Sequence, residues 1–114
     1  MSLKSYLNLY LDRLRLRYPE FFEAYVNDED GLVISVYLVI KVAKDLSCYL
    51  IRFKDKEYSL RIDEPLTFER IEEIKRSLDV DYLTACRIAC IASIIRECAL
   101  EVRKLRKKEV KVVE

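Results

Sequence analysis

Apolar and polar positions change rhythm twice along this chain, and each change marks a change of element. Between residues 2 and 18, Leu3, Leu7, Tyr10, Leu14 and Tyr18 recur every three or four positions, with Tyr6 and Leu11 beside them. That period draws a stripe down one side of a helix. Pro19 holds Tyr18 out of the helical region and can open a short second helix, Pro19–Val26. Asn27-Asp-Glu-Asp-Gly31 then reads as a turn.

From Leu32 the period falls to two. Leu32, Ile34, Val36, Leu38, Ile40 and Val42 line one face of a single strand, Leu32–Val42. A tight connection at Lys44-Asp45 leads to a second strand, Leu46–Phe53, and Lys54-Asp-Lys-Glu57 leads to a third, Tyr58–Ile62. Connections this short join antiparallel neighbours, so the three strands form a meander. In the third strand Tyr58, Leu60 and Ile62 point one way and Ser59, Arg61 and Asp63 the other, a half-wet pattern suited to a sheet edge.

The helical period then returns. Thr67 is placed to cap a helix over Phe68–Leu78, whose stripe is Phe68, Ile71, Ile74, Lys75 and Leu78. Asp79 or Asp81 caps a long last helix running to Lys108. Its middle, Ile88–Ile95, carries no charge on any side for about two turns, where an ordinary surface helix has one apolar stripe. It therefore needs cover nearly all round, and a second subunit or a partner is one source of it. Ala85, Ile88, Ala89, Ile91, Ala92 and Ile95 are the candidate interface, the alanines recurring at a spacing that admits a close neighbour. The order α-α-β-β-β-α-α predicts one α+β domain over residues 1–114. Its three-stranded antiparallel meander is packed by N-terminal helices and by a C-terminal helical hairpin.

Composition narrows the setting. Abundant Lys, Glu, Arg, Ile and Val, with no Gln and two Asn, follow the trend of heat-adapted proteins and suggest a thermophilic prokaryote, archaeal for instance, or one of its viruses. The net charge of +1 predicts no global pull toward nucleic acid or anionic membrane. The start of the chain lacks the pattern of a signal peptide, and its uncharged runs fall short of the roughly 20 residues of a membrane span. A cytoplasmic protein is expected. Cys48, Cys86, Cys90 and Cys98 lie in apolar segments and are expected to pack there as small hydrophobes.

Missing residues exclude several chemistries. Without histidine there is no Ser-His-Asp or Cys-His arrangement and no imidazole metal site. A single glycine, Gly31, excludes glycine-rich phosphate loops. Glu69 and Glu73 share a helix face but lack a third carboxylate to complete a cation site, and they suit a solvated helix start. No catalytic residue, cofactor, metal or small-molecule substrate is expected.

One stretch carries a functional pattern. Ile74-Lys-Arg-Ser-Leu-Asp-Val-Asp-Tyr-Leu-Thr-Ala-Cys-Arg-Ile88 resembles the helix-turn-helix of DNA-binding repressors, with apolar residues at 74, 78 and 80 and a cap at Asp81. With the preceding Tyr58-Ser-Leu-Arg-Ile-Asp63 it also resembles the ribbon-helix-helix repressors, in which two subunits form a two-stranded ribbon that enters the major groove. The resemblance covers about a third of the chain and implies Ser59 and Arg61 as base readers, with Arg87 following on the second helix. It departs where Lys75 and Asp79 stand in place of a small residue and a glycine, and in the length and apolarity of the second helix. Arg103, Lys104, Arg106, Lys107 and Lys108 add a basic helix end able to grip phosphates. The leading expectation is a non-catalytic, self-associating interaction protein, a homodimer or a subunit of a larger assembly. The alternative is a DNA-binding regulator.

Overall fold

The computed structural model describes residues 26–28, 31–33 and 37–113 together with Leu16, and the side chains of Leu16 and of residues 37–107. The predicted N-terminal helices lie outside the described residues, apart from Leu16, which is helical, and Val26, which belongs to a strand. Five strands, β1 (Val26–Asp28), β2 (Gly31–Val33), β3 (Leu38–Val42), β4 (Cys48–Phe53) and β5 (Lys56–Arg61), form one antiparallel sheet in that spatial order. Two helices follow, α1 (Phe68–Leu78) and α2 (Tyr82–Val113). The fold is α+β, with the expected meander as β3, β4 and β5.

The single strand expected over Leu32–Val42 is two. The chain reverses between Val33 and Leu38, and β2 pairs with β3 at Leu32↔Ile40 and Val33↔Val39. This register sets even positions opposite even ones. The same alternation of apolar residues therefore fits one straight strand or two paired ones, and no glycine or proline marks the reversal. Val26, read as the end of a helix, instead pairs with Val33 in β1 and β2.

Leu46, expected in the second strand, sits in the loop before β4, at φ 59. The loop closes through Ala43 N–H to Cys48 C=O and Leu46 N–H to Ala43 C=O, at 3.0 and 2.9 Å. A left-handed leucine costs about 1–2 kcal/mol. Its side chain is buried, a gain of comparable size that offsets the cost. β4 and β5 join through the two residues Lys54-Asp55, with Lys54 at φ 57, the left-handed geometry that such short hairpins favour.

Both helices start at capping side chains. Arg70 N–H donates to the Thr67 hydroxyl at 3.4 Å, and Thr84 N–H donates to Asp81 Oδ1 at 2.8 Å. Asp79, the other candidate for the second cap, instead closes α1 in the left-handed conformation, at φ 54. One apolar cluster joins three layers of contact. Leu38, Ile40, Tyr49, Ile51, Leu60 and Ile62 come from one sheet face, Ile74 and Leu78 from α1, and Ile88, Ile91, Ile95 and Val102 with four alanines and Cys98 from α2. Phe68, expected on the buried stripe of α1, is 66% exposed and leans on Tyr82, ring centroids 6.1 Å apart.

Candidate functional site

The six residues proposed from sequence as an interface lie in this core. Ala85, Ile88, Ile91, Ala92 and Ile95 are 0% exposed and Ala89 is 3% exposed within the single chain. The isoleucines and alanines of the uncharged middle of α2 thus pack in one cluster with residues of the sheet and of α1. Outward on α2 stand Leu83, Arg87, Cys90 and Glu97, a face of mixed character.

The basic end of α2 serves the chain's own loops. Arg96 Nε donates to the Ile62 carbonyl at 2.7 Å, and Arg103 donates to Asp63 Oδ1 at 2.5 Å and to the Leu46 carbonyl at 3.5 Å. Arg106 reaches the Lys44 carbonyl at 3.1 Å, and Lys104 pairs with Glu101 at 3.4 Å. The Arg103 guanidinium holds the Asp63 carboxyl below its usual range, first through the hydrogen bond and then through charge. These arginines clasp the loops before β4 and after β5, so the candidate phosphate-binding end is in large part occupied with loop carbonyls. Lys107 is exposed, and the side chain of Lys108 lies outside the described residues.

A second polar cluster ties β5 to α1. The Tyr58 hydroxyl and Arg70 Nη1 both donate to Glu73 Oε2, the latter at 2.9 Å, and Arg70 Nη2 reaches Glu64 Oε2 at 2.6 Å. Hydrogen bonds from Tyr58, then Arg70, hold the Glu73 carboxyl low, while partial burial, then Glu73, pushes the Tyr58 hydroxyl up. Glu73 is thereby a structural acceptor, and Glu69 beside it is exposed. Among the described residues no group of three or more Cys, Asp or Glu is placed to share a metal ion.

The cysteines divide. Cys98 is buried, its thiol pushed up to about 11 by burial, and Cys86 is half-buried. Cys48 and Cys90, expected in apolar packing, are exposed; each falls on the outward side of its element. All four are free thiols.

Ser59 and Arg61 stand exposed on the sheet face opposite the core, with Glu57. The register of the hairpin sets Glu57 beside Arg52, Ser59 beside Leu50 and Arg61 beside Cys48. Lys41 lies on the same face, where it lines an open depression of about 310 Å³ with Lys44, Cys48 and Ser59. In a two-residue hairpin the flanking pair, Phe53 and Lys56, exchanges backbone hydrogen bonds, and every second pair after it does the same. Lys56, Tyr58 and Leu60 therefore turn their backbone groups toward β4, and Ile62 N–H continues the set to Ser47 C=O at 2.9 Å. Glu57, Ser59 and Arg61 turn theirs outward, along the edge of the sheet. Among the described residues, the backbone groups of Glu57 and Ser59 have no partner, and Arg61 C=O accepts only Glu64 N–H, at 3.2 Å. The sequence pattern marked Ser59 and Arg61 for their side chains and this strand as a sheet edge, but set Glu57 in the turn before it; Glu57 belongs to β5. A half-polar last strand before a helix was the available signal.

Comparison with protein-family models, with curated proteins and with solved structures finds no match.

Proposed function

We propose that this chain is a non-catalytic interaction protein that associates with itself, alone or within a larger assembly. The observation carrying this reading is the edge of β5, a six-residue strand whose outward backbone groups at Glu57 and Ser59 lack partners among the described residues. Unpaired strand edges are templates for another strand, and β-addition through main-chain hydrogen bonds is a recurrent mode of association. The reading thereby moves from the middle of α2, where the apolar residues are already covered, to the sheet. Sedimentation velocity over a range of concentrations is expected to give a dimer, and a monomer throughout with no partner would remove the reading.

A second reading, a DNA-binding regulator, draws on the exposed Ser59 and Arg61 with Lys41 on one sheet face. It requires a salt-dependent mobility shift with duplex DNA that weakens on Arg61→Ala. Because Arg103 and Arg106 are engaged with loop carbonyls, Arg61 and not the basic end of α2 is the residue to test. A shift that is absent at low salt would dismiss it.

A further inference from the structure

The partner of the β5 edge is a second copy of the same strand, and its register can be read from the charges. We infer that two chains pair β5 against β5 antiparallel about a two-fold axis at Ser59, with Glu57 of each chain opposite Arg61 of the other. The inference rests on the self-association reading above and gives it a site and a geometry.

Three features of β5 select this arrangement. First, the residues whose backbone groups point outward are Glu57, Ser59 and Arg61. A hydrogen-bonded antiparallel register must therefore place these odd positions opposite one another. An axis at Ser59 does so, pairing Ser59 with its own copy and Glu57 with Arg61 on both sides. Second, the side chains of these three residues lie on one exposed face, so opposed charges sit within reach across the new junction. Moving the axis to Glu57 or to Arg61 sets like charges against each other. Third, symmetry repeats the favourable pair. A two-fold interface uses each contact twice, so a Glu and an Arg equally spaced from a serine are self-complementary where two like charges would exclude the dimer.

Charged residues on an edge strand commonly guard against pairing. Here their signs alternate about Ser59, so they guard against most partners and admit this one. Glu57 also lies 4.0 Å from Arg52 of its own chain, a long contact between two exposed side chains that leaves the carboxylate open to a second guanidinium. On the core side the same register sets Tyr58 opposite Leu60, which continues the apolar layer across the junction.

The test is a charge-swap series followed by sedimentation velocity, with circular dichroism to verify folding. Glu57→Lys and Arg61→Glu each place two like-charge pairs at the junction and are expected to raise the dimer dissociation constant about tenfold or more. Arg61→Glu leaves the Arg52–Glu57 contact intact, so its effect is not a consequence of losing that contact. Mixing the two single variants restores both opposite-charge pairs and is expected to give a heterodimer. The double variant E57K/R61E swaps the charges and is expected to return the homodimer. A wild-type dimer indifferent to both single substitutions, or single-variant losses not recovered by mixing or by the double variant, would overturn the register while leaving self-association standing. A wild-type monomer at all concentrations would overturn both.

Discussion

The middle of α2 and the strand β5 are opposites in sequence, and their places in the fold are opposite in the less obvious sense. Residues 88–95 are the most apolar run of the helix and would be the first choice for an interface. Ile88, Ile91 and Ile95 of this run are at 0% exposure in one cluster with residues of the sheet and α1, and Cys90 faces outward. β5 is half charged, yet it ends the sheet, and among the described residues the backbone groups of Glu57 and Ser59 are unpaired. Hydrophobic side chains drive burial without saying by what, because the effect is non-directional. An open strand edge is directional, and it accepts only another extended chain in register. Stickiness in a sequence therefore points to the core, and the capacity to join another chain resides in hydrogen-bond geometry.

The comparison is sharpest at Ile91. Ile91→Ala is expected to lower unfolding stability by about 2–5 kcal/mol, the range for truncating a large buried aliphatic residue, as read by chemical denaturation. A loss under 1 kcal/mol would mean that the middle of α2 is not the packed centre of this fold.

The polar clasps around the core should yield next, and they yield to acid. Asp45 is held low by hydrogen bonds from the Ser47 hydroxyl and then its backbone N–H, and Asp81 by Thr84 in the same two ways. Asp63 is held low by Arg103, and Glu73 by Tyr58 and Arg70. A carboxyl held below its unfolded value stabilises the fold above that value and loses its contribution as pH falls through the folded one. Thermal stability is thus expected to be flat near neutrality and to fall on acidification below about pH 4, the ordinary carboxylate range. A midpoint unchanged between pH 5 and pH 2 would contradict these pairings.

A smaller effect, of opposite sign, is expected at Tyr49. Its hydroxyl is buried with no hydrogen-bond partner among the described residues, and burial pushes it up to about 12. Tyr49→Phe removes the unsatisfied group and is expected to leave stability unchanged or raise it by up to about 1 kcal/mol. A clear loss in the melting midpoint would show that the hydroxyl has a partner after all.

At the strand edge the effect on folding should be smallest. In dilute solution Arg61→Ala is expected to change stability by no more than about 0.5 kcal/mol, as for surface substitutions generally. Hydrogen exchange separates the two regions in a different way. Amide protection at Glu57 and Ser59 is expected to rise with protein concentration, while protection across Ile88–Ile95 stays constant. Equal behaviour of both segments would erase the distinction between core helix and association edge.

Much of this architecture was legible from residue pattern. Thr67 and Asp81 cap their helices, Phe68–Leu78 has the bounds its period implied, and the chain turns between β4 and β5 within the expected Lys54–Glu57, although Lys56 and Glu57 already belong to β5. The reversal between β2 and β3 was hidden because alternation has the same parity in a straight strand and in this hairpin. The left-handed Leu46 was hidden because nothing local announces a leucine whose burial offsets its backbone cost. Of the candidate site, Ser59 and Arg61 were found as exposed polar side chains. The engagement of Arg103 and Arg106 with Asp63, Leu46 and Lys44 was not, since those partners lie between 40 and 62 positions away in the chain.

By itself the sequence determined the helices α1 and α2 and the extended character of β3, β4 and β5, which side chains seek cover, and which chemistries are excluded by the absence of histidine and the single glycine. These depend on local period, capping and composition, which every residue carries with it. Only the tertiary structure decided what packs against α2, which arginines are occupied, and which backbone groups of β5 face outward. Those depend on contacts between segments distant in the chain, and a strand's edge becomes open or paired only when its neighbours have taken their places.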